Sequence, residues 1–95
     1  MNRTDNRSAD RIIAHVWRAF PDLYRADADQ ADGYMVAAEH VGDLLDTIQS
    51  DDAAADRAYV RASLTSRIND LTATLRPSAA IRGSVDAYRR ALALL

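Results

Sequence analysis

Apolar side chains return every three or four residues along most of this chain, and no other feature constrains its fold more. That spacing gathers them on one face of a helix, whereas a strand would need strict alternation. After Ser8, a good N-cap with Asp10 in the first turn, Ile12, Ile13, Val16, Trp17 and Phe20 recur at helical spacing until Pro21. The spacing predicts a first helix over residues 9–20, preceded by a flexible polar arm over 1–7.

From Pro21 to Gly33 the pattern weakens, and the segment reads either as a short helix capped by Asp22 or as an acidic loop. A second helix is expected over residues 33–49, with Tyr34, Ala37, Val41, Leu44 and Ile48 on one face, supported by Ala38 and Leu45. Ser50 and Asp51 or Asp52 cap a third over 52–76, whose stripe is Val60, Leu64, Ile68, Leu71 and Leu75. Pro77, read as a first-turn residue, opens a fourth carrying Ile81, Val85, Tyr88, Leu92 and Leu95, which Gly83 and Ser84 could split. Four stripes joined by short turns want a common core, so the expected fold is all-α, one domain over residues 1–95, a small antiparallel bundle of about four helices.

Composition narrows the function classes. With 48% apolar residues, only 3 Gly and 2 Pro, the chain can bury enough surface to fold. With 0 Cys, disulfide scaffolds, Cys-ligated zinc and thiol catalysis are excluded. The polar N-terminal residues resemble no secretory signal and no apolar run approaches the roughly 20 residues of a membrane span, so a cytoplasmic protein without membrane contact is expected.

Charge is distributed in blocks. All 12 basic residues are Arg, and of the 14 acids only Glu39 is not Asp. Residues 1–25 hold five Arg and three Asp (+2), residues 26–56 hold eight Asp and one Glu with no Arg (−9), and residues 57–95 hold seven Arg and two Asp (+5), which sum to the net −2. On a helical wheel Asp32, Glu39, Asp43 and Asp46 fall within about 60° of one another, opposite the apolar stripe of the second helix. Such a ridge attracts a basic protein surface and repels nucleic acid. The alternative is that Arg residues of the same chain or of a second copy fold over it, in pairs contributing about 0 to 1 kcal/mol each. On the first helix Arg11, His15 and Arg18 stand at i, i+4 and i+7, a basic stripe that reads equally as a solvated face.

Other motifs are incomplete. Asp27, Asp29, Asp32 and Gly33 approach a calcium loop, which wants acids at the first, third and fifth positions, glycine at the sixth and a bidentate Glu at the twelfth. Here Ala31 stands fifth, Gly33 seventh and Glu39 thirteenth, leaving a calcium-dependent helical protein as an outlying alternative. His15 and His40 lack the Glu-x-x-His spacing of bundle metal sites, and His40 reads as a boundary residue with a hydrogen-bond partner. No Ser or Thr sits in a nucleophile motif and no glycine loop cradles phosphate, so neither an enzyme nor a cofactor is expected. Trp17, Phe20, Tyr24 and Tyr34 read as core or as interface anchors. The C-terminal Leu92, Leu94 and Leu95 put apolar side chains on two faces of the last helix, which predicts homodimerisation there if the chain self-associates.

The stretch Val16-Trp17-Arg18-Ala19-Phe20-Pro21-Asp22-Leu23 resembles the end of the first helix in a helical anti-CRISPR family acting on type I-E surveillance complexes. That family's pattern is Trp-Arg, one residue, an aromatic, then Pro-Asp-Leu, and the resemblance covers these eight residues. It implies a phage-derived inhibitor that binds a Cas protein by surface complementarity and performs no chemistry. Because the motif positions read as core, it carries no binding residues with it. Two functions are therefore expected of such a chain: a non-catalytic inhibitor or adaptor presenting its acidic helix to a basic protein, such as a Cas or other nucleic-acid-binding protein, or a structural helical protein that pairs with itself or another small helical chain.

Overall fold

A computed structural model describes the backbone of residues 3–47, 53–74 and 76–95, and the side chains of 9–46, 55–74 and 76–95. The described chain is all-α: four long helices, α1 (Arg3–Arg18), α3 (Ala28–Thr47), α4 (Ala53–Thr72) and α5 (Ala79–Leu92), with a short α2 (Phe20–Ala26) between the first two.

The ends of these helices differ from the expected ones for local reasons. α1 begins at Arg3, so Ser8 lies inside the helix and the supposed arm is helical from its third residue. Only Ala19 interrupts the path from α1 to α2, and Pro21 stands in the first turn of α2, where its missing N–H costs nothing, rather than ending the helical run. The segment after it is the short helix of the two readings, but with Ala19 at the N-cap position and Asp22 in the first turn. Asp27 then caps α3, which begins at Ala28, five residues early: its carboxylate accepts the backbone N–H of Gln30 at 3.1 Å, the side-chain half of a capping box. α4 ends at Thr72, whose hydroxyl donates back to the Ile68 carbonyl at 2.8 Å. α5 opens on Ser78, which accepts from the Ile81 N–H at 3.2 Å, so Pro77 precedes the cap instead of occupying the first turn. The caps expected at Ser50, Asp51 and Asp52, and the stripe positions Ile48 and Leu75, lie outside the described residues.

The core is one cluster. Ile12 and Val16 of α1, Tyr34, Ala37, Ala38 and Val41 of α3, Val60, Leu64 and Ile68 of α4, and Val85, Ala87, Tyr88 and Ala91 of α5 are buried together. Trp17, Phe20 and Leu23 are half-buried at its edge, with Trp17 and Phe20 edge to face at 5.5 Å between centroids. Tyr24 continues the row, 5.9 Å from Phe20, but is exposed. Leu92, Leu94 and Leu95 also rest on this core, half-buried.

The most extensive contact joins α3 to α5, and α4 also lies against α5. Gly33 lies beside Ala80 and His40 beside Tyr88, so α3 and α5 run parallel, α4 being the return between them. Their backbones approach so closely that a Cβ added at Gly33 would sit 2.6 Å from Ala80 Cα and nearer still to its carbonyl oxygen. One added at Gly83 would sit 2.9 Å from the Tyr34 nitrogen and nearer still to the Gln30 carbonyl oxygen. Gly83, Ala87 and Ala91 step by four along α5 and Gly33 and Ala37 do so along α3, which removes side-chain bulk from both sides of the seam. Gly83 therefore does not split the last helix; it sets how near that helix lies to α3. The Ser84 hydroxyl donates to the Gly33 carbonyl at 2.9 Å across the same seam.

Candidate functional site

With its inner face committed to α5, α3 turns the opposite face to solvent. Because the Asp27 cap starts the helix early, the exposed positions form one unbroken line, Asp29, Asp32, Val36, Glu39, Asp43 and Asp46, stepping by 3, 4, 3, 4 and 3. At ~1.5 Å of rise per residue the line is about 25 Å long. The four acids predicted from sequence, Asp32, Glu39, Asp43 and Asp46, are all exposed and share this face. Two members were not predicted. Asp29 falls in the segment that the sequence leaves open between a short helix and an acidic loop, although Asp27-x-x-Gln30 marks a helix start; Val36, 63% exposed, lies off the apolar stripe of the second helix and carries no charge to mark it.

The line carries five carboxylates and no cation. Among the described residues none of the five makes an ion pair: the two pairs present are Asp22 with Arg25 and Asp86 with Arg90, the latter at 3.2 Å, on α2 and α5. Asp29 in the first turn is favoured by the helix dipole, whereas Asp46 in the last turn meets its negative end, at a cost of about 0.3 to 1 kcal/mol. Glu39 and Asp43, at i and i+4, repel by roughly 0.2 to 0.5 kcal/mol. Folding gains nothing from this row beyond its first residue.

The other candidates are placed as follows. Asp27 caps α3 and residues 28–33 are helical, so the Asp27 to Gly33 segment does not form the loop a calcium site requires. Among the described residues no group of three or more His, Asp or Glu is placed to hold a metal ion. His40 is half-buried with its Nδ1 2.9 Å from the Tyr88 hydroxyl and its ring edge-on to that of Tyr88, the boundary role expected of it. Tyr34 is fully buried, its hydroxyl donating to the Val16 carbonyl of α1. Burial pushes this phenol up to about 12, with the Arg90 charge opposing the rise and the Asp86 charge adding to it. Leu92, Leu94 and Leu95 give part of their surface to the core of their own chain, and the Leu95 carbonyl accepts from Arg61 of α4. No described helix is long and apolar enough to cross a membrane.

Between α1, α2 and α5 lies a groove of about 520 Å³, lined by His15, Arg18, Ala19, Asp22, Leu23, Asp86 and Arg90. Here the structure joins part of the basic stripe of α1 to a cation of α5, a neighbourhood that one-dimensional spacing does not reveal. No protein-family model, curated protein or solved structure matches the chain.

Proposed function

We propose that the protein is a non-catalytic binding module, an inhibitor or adaptor, that presents the outer face of α3 to a basic protein surface. The observation supporting this is the line of five exposed, unpaired carboxylates around Val36, held on a helix whose opposite face is fixed against α5. Unpaired charge of one sign raises association rates with an oppositely charged partner and fixes its register, and it discourages contact with nucleic acid. Val36 supplies the apolar contact that a charged rim surrounds at a protein interface.

A nucleic-acid-binding protein, basic by necessity, is the partner class this favours, and the Trp17 to Leu23 resemblance makes a type I-E Cas complex the first to try. Retention from cells expressing such a complex tests the reading, with wild-type protein and a D43R/D46R variant as baits at low salt. A component held by the wild type, released by salt and absent from the variant supports it; equal retention by both baits overturns it.

A further inference from the structure

A basic strip runs along the side of the molecule opposite the acidic line. On α5 the small residues Gly83, Ala87 and Ala91 face α3, and Ile81, Val85 and Leu92 are left to meet α4. Arg82 and Arg89 come next around the helix, on the flank away from α3, and both are exposed. α4 runs antiparallel to α5, since Arg61 near its start donates to the Leu95 carbonyl just past the end of α5. Arg61, with Arg57 one turn before it, is displaced from the buried Val60, Leu64 and Ile68 in the same rotational sense as Arg82 and Arg89 are from Val85. In an antiparallel pair of helices, flanks of the same sense lie side by side, so the four arginines share one flank of the α4–α5 pair.

The strip is of one sign. Arg57 and Arg89 have no side-chain hydrogen bond or ion pair among the described residues, while Arg61 and Arg82 donate only to the neutral carbonyls of Leu95 and Pro77. Asp56 and Asp70 stand on the other flank of α4, and Asp86, at the border, is already paired with Arg90. Counted in residues along the two helices, from Arg82 through Arg89 and Arg61 to Arg57, the strip is about 25 Å long at ~1.5 Å per residue, the length of the acidic line on α3.

We infer that a second copy of this chain docks the outer face of its α3 along this strip. Sign and length correspond, and the line and the strip, on opposite sides of α5, cannot meet within one chain. A nucleic-acid strand is the poorer occupant, because residues 26–56 bring a charge of −9 to the same small molecule. This inference rests on the reading of the α3 face as a docking surface and names one partner for it. The two faces differ and point in opposite directions, so the contact is heterologous and copies add head to tail into open chains. A contact made mainly of exposed charges belongs to the weak, transient class.

Sedimentation velocity on the full chain over a concentration series, at about 20 mM and about 500 mM NaCl, tests it. Average mass is expected to rise above the monomer with concentration at low salt and to return to the monomer at high salt. R57E/R89E and D43R/D46R, which alter only exposed, unpaired side chains, should each be monomeric alone, with circular dichroism unchanged. One chain carrying all four substitutions should assemble again, because both faces have changed sign together. A wild-type monomer at all concentrations overturns the inference, as does assembly that ignores salt, persists in both variants or is not restored by the four substitutions. Loss only on removing residues 91–95 overturns it in favour of the C-terminal leucines. Binding of a labelled oligonucleotide by a monomeric wild type, abolished in R57E/R89E, overturns it in favour of nucleic acid. If the wild type is monomeric while D43R/D46R still loses a foreign basic partner, the second copy is excluded and the binding-module reading stands.

Discussion

α3 and α4 are both 20 residues long and both lie against α5, yet they are held in opposite ways. α3 meets α5 backbone to backbone, through Gly33, Ala37, Gly83, Ala87 and Ala91, so its position is set by what is missing from the seam. α4 meets the core through Val60, Leu64 and Ile68, projecting side chains that fill space, while Tyr59 and most of its remaining surface stay exposed. A seam of small residues tolerates no added atom, because backbone cannot swing aside. A contact made of aliphatic side chains loses energy in proportion to what is removed and leaves the rest able to settle.

The largest effect is expected at the seam. Gly33→Ala would drive a methyl group into the Ala80 backbone, so the two helices must part along their length, a loss of about 3 kcal/mol or more, at or beyond the upper end of overpacking costs. Urea unfolding measures it; a midpoint near the wild-type value would show that the seam has slack. Leu64→Ala, at a fully buried position of α4, should cost about 2 to 3 kcal/mol, because α4 can close part of the cavity by moving toward α5. If it proved the costlier of the two, the contrast between the helices would be reversed.

Next in size is an alkaline effect confined to the α3 side. Below pH 10 Tyr34 is neutral in both folded and unfolded chains. Between pH 10 and about 12 the unfolded chain ionises first, the folded chain holds more protons, and stability falls as pH rises, by about 2 kcal/mol at the upper limit. Tyr34→Phe should cost about 1 kcal/mol at neutral pH, through the lost bond to the Val16 carbonyl, and should flatten that decline. Stability curves for the two proteins that fell in parallel across this window would exclude Tyr34 as its source. The smallest effect is a gain: Gly42, also on α3, has no atom within 4 Å of an added Cβ, so Gly42→Ala should stabilise by about 0.5 to 1 kcal/mol. Loss of stability there would mean that α3 is hemmed in on more than its α5 face.

The same contrast explains what the sequence could and could not reveal. Val41, Val60, Leu64, Ile68, Val85 and Tyr88 are large apolar residues at helical spacing, and each is buried as that spacing predicts. Gly33 and Gly83 were read as a helix start and a possible break, since glycine disfavours helices in isolation. Their shared role depends on two segments 50 residues apart lying side by side, which no local pattern encodes. The start of α3 at Asp27 is hidden for a different reason: the apolar pattern weakens between Pro21 and Gly33, so the cap marked by Asp27 and the Gln three residues on has no stripe beside it. The α3 acids were visible because charge pattern needs only the helix period; the groove beside α1 was not, because Arg90 joins His15 and Arg18 only through the fold.

The glycine seam also separates two kinds of constraint on one helix. The inner positions of α3 answer to the shape of α5 and of the core it shares with α1 and α2, while Asp29, Asp32, Val36, Glu39, Asp43 and Asp46 face solvent and meet no such demand. The outer face can therefore be rewritten, acid for base or valine for leucine, without disturbing the packing that holds it in place. α3 is in that sense an interchangeable label on a fixed mount, and its surface chemistry can drift or be redesigned at the cost of a few substitutions.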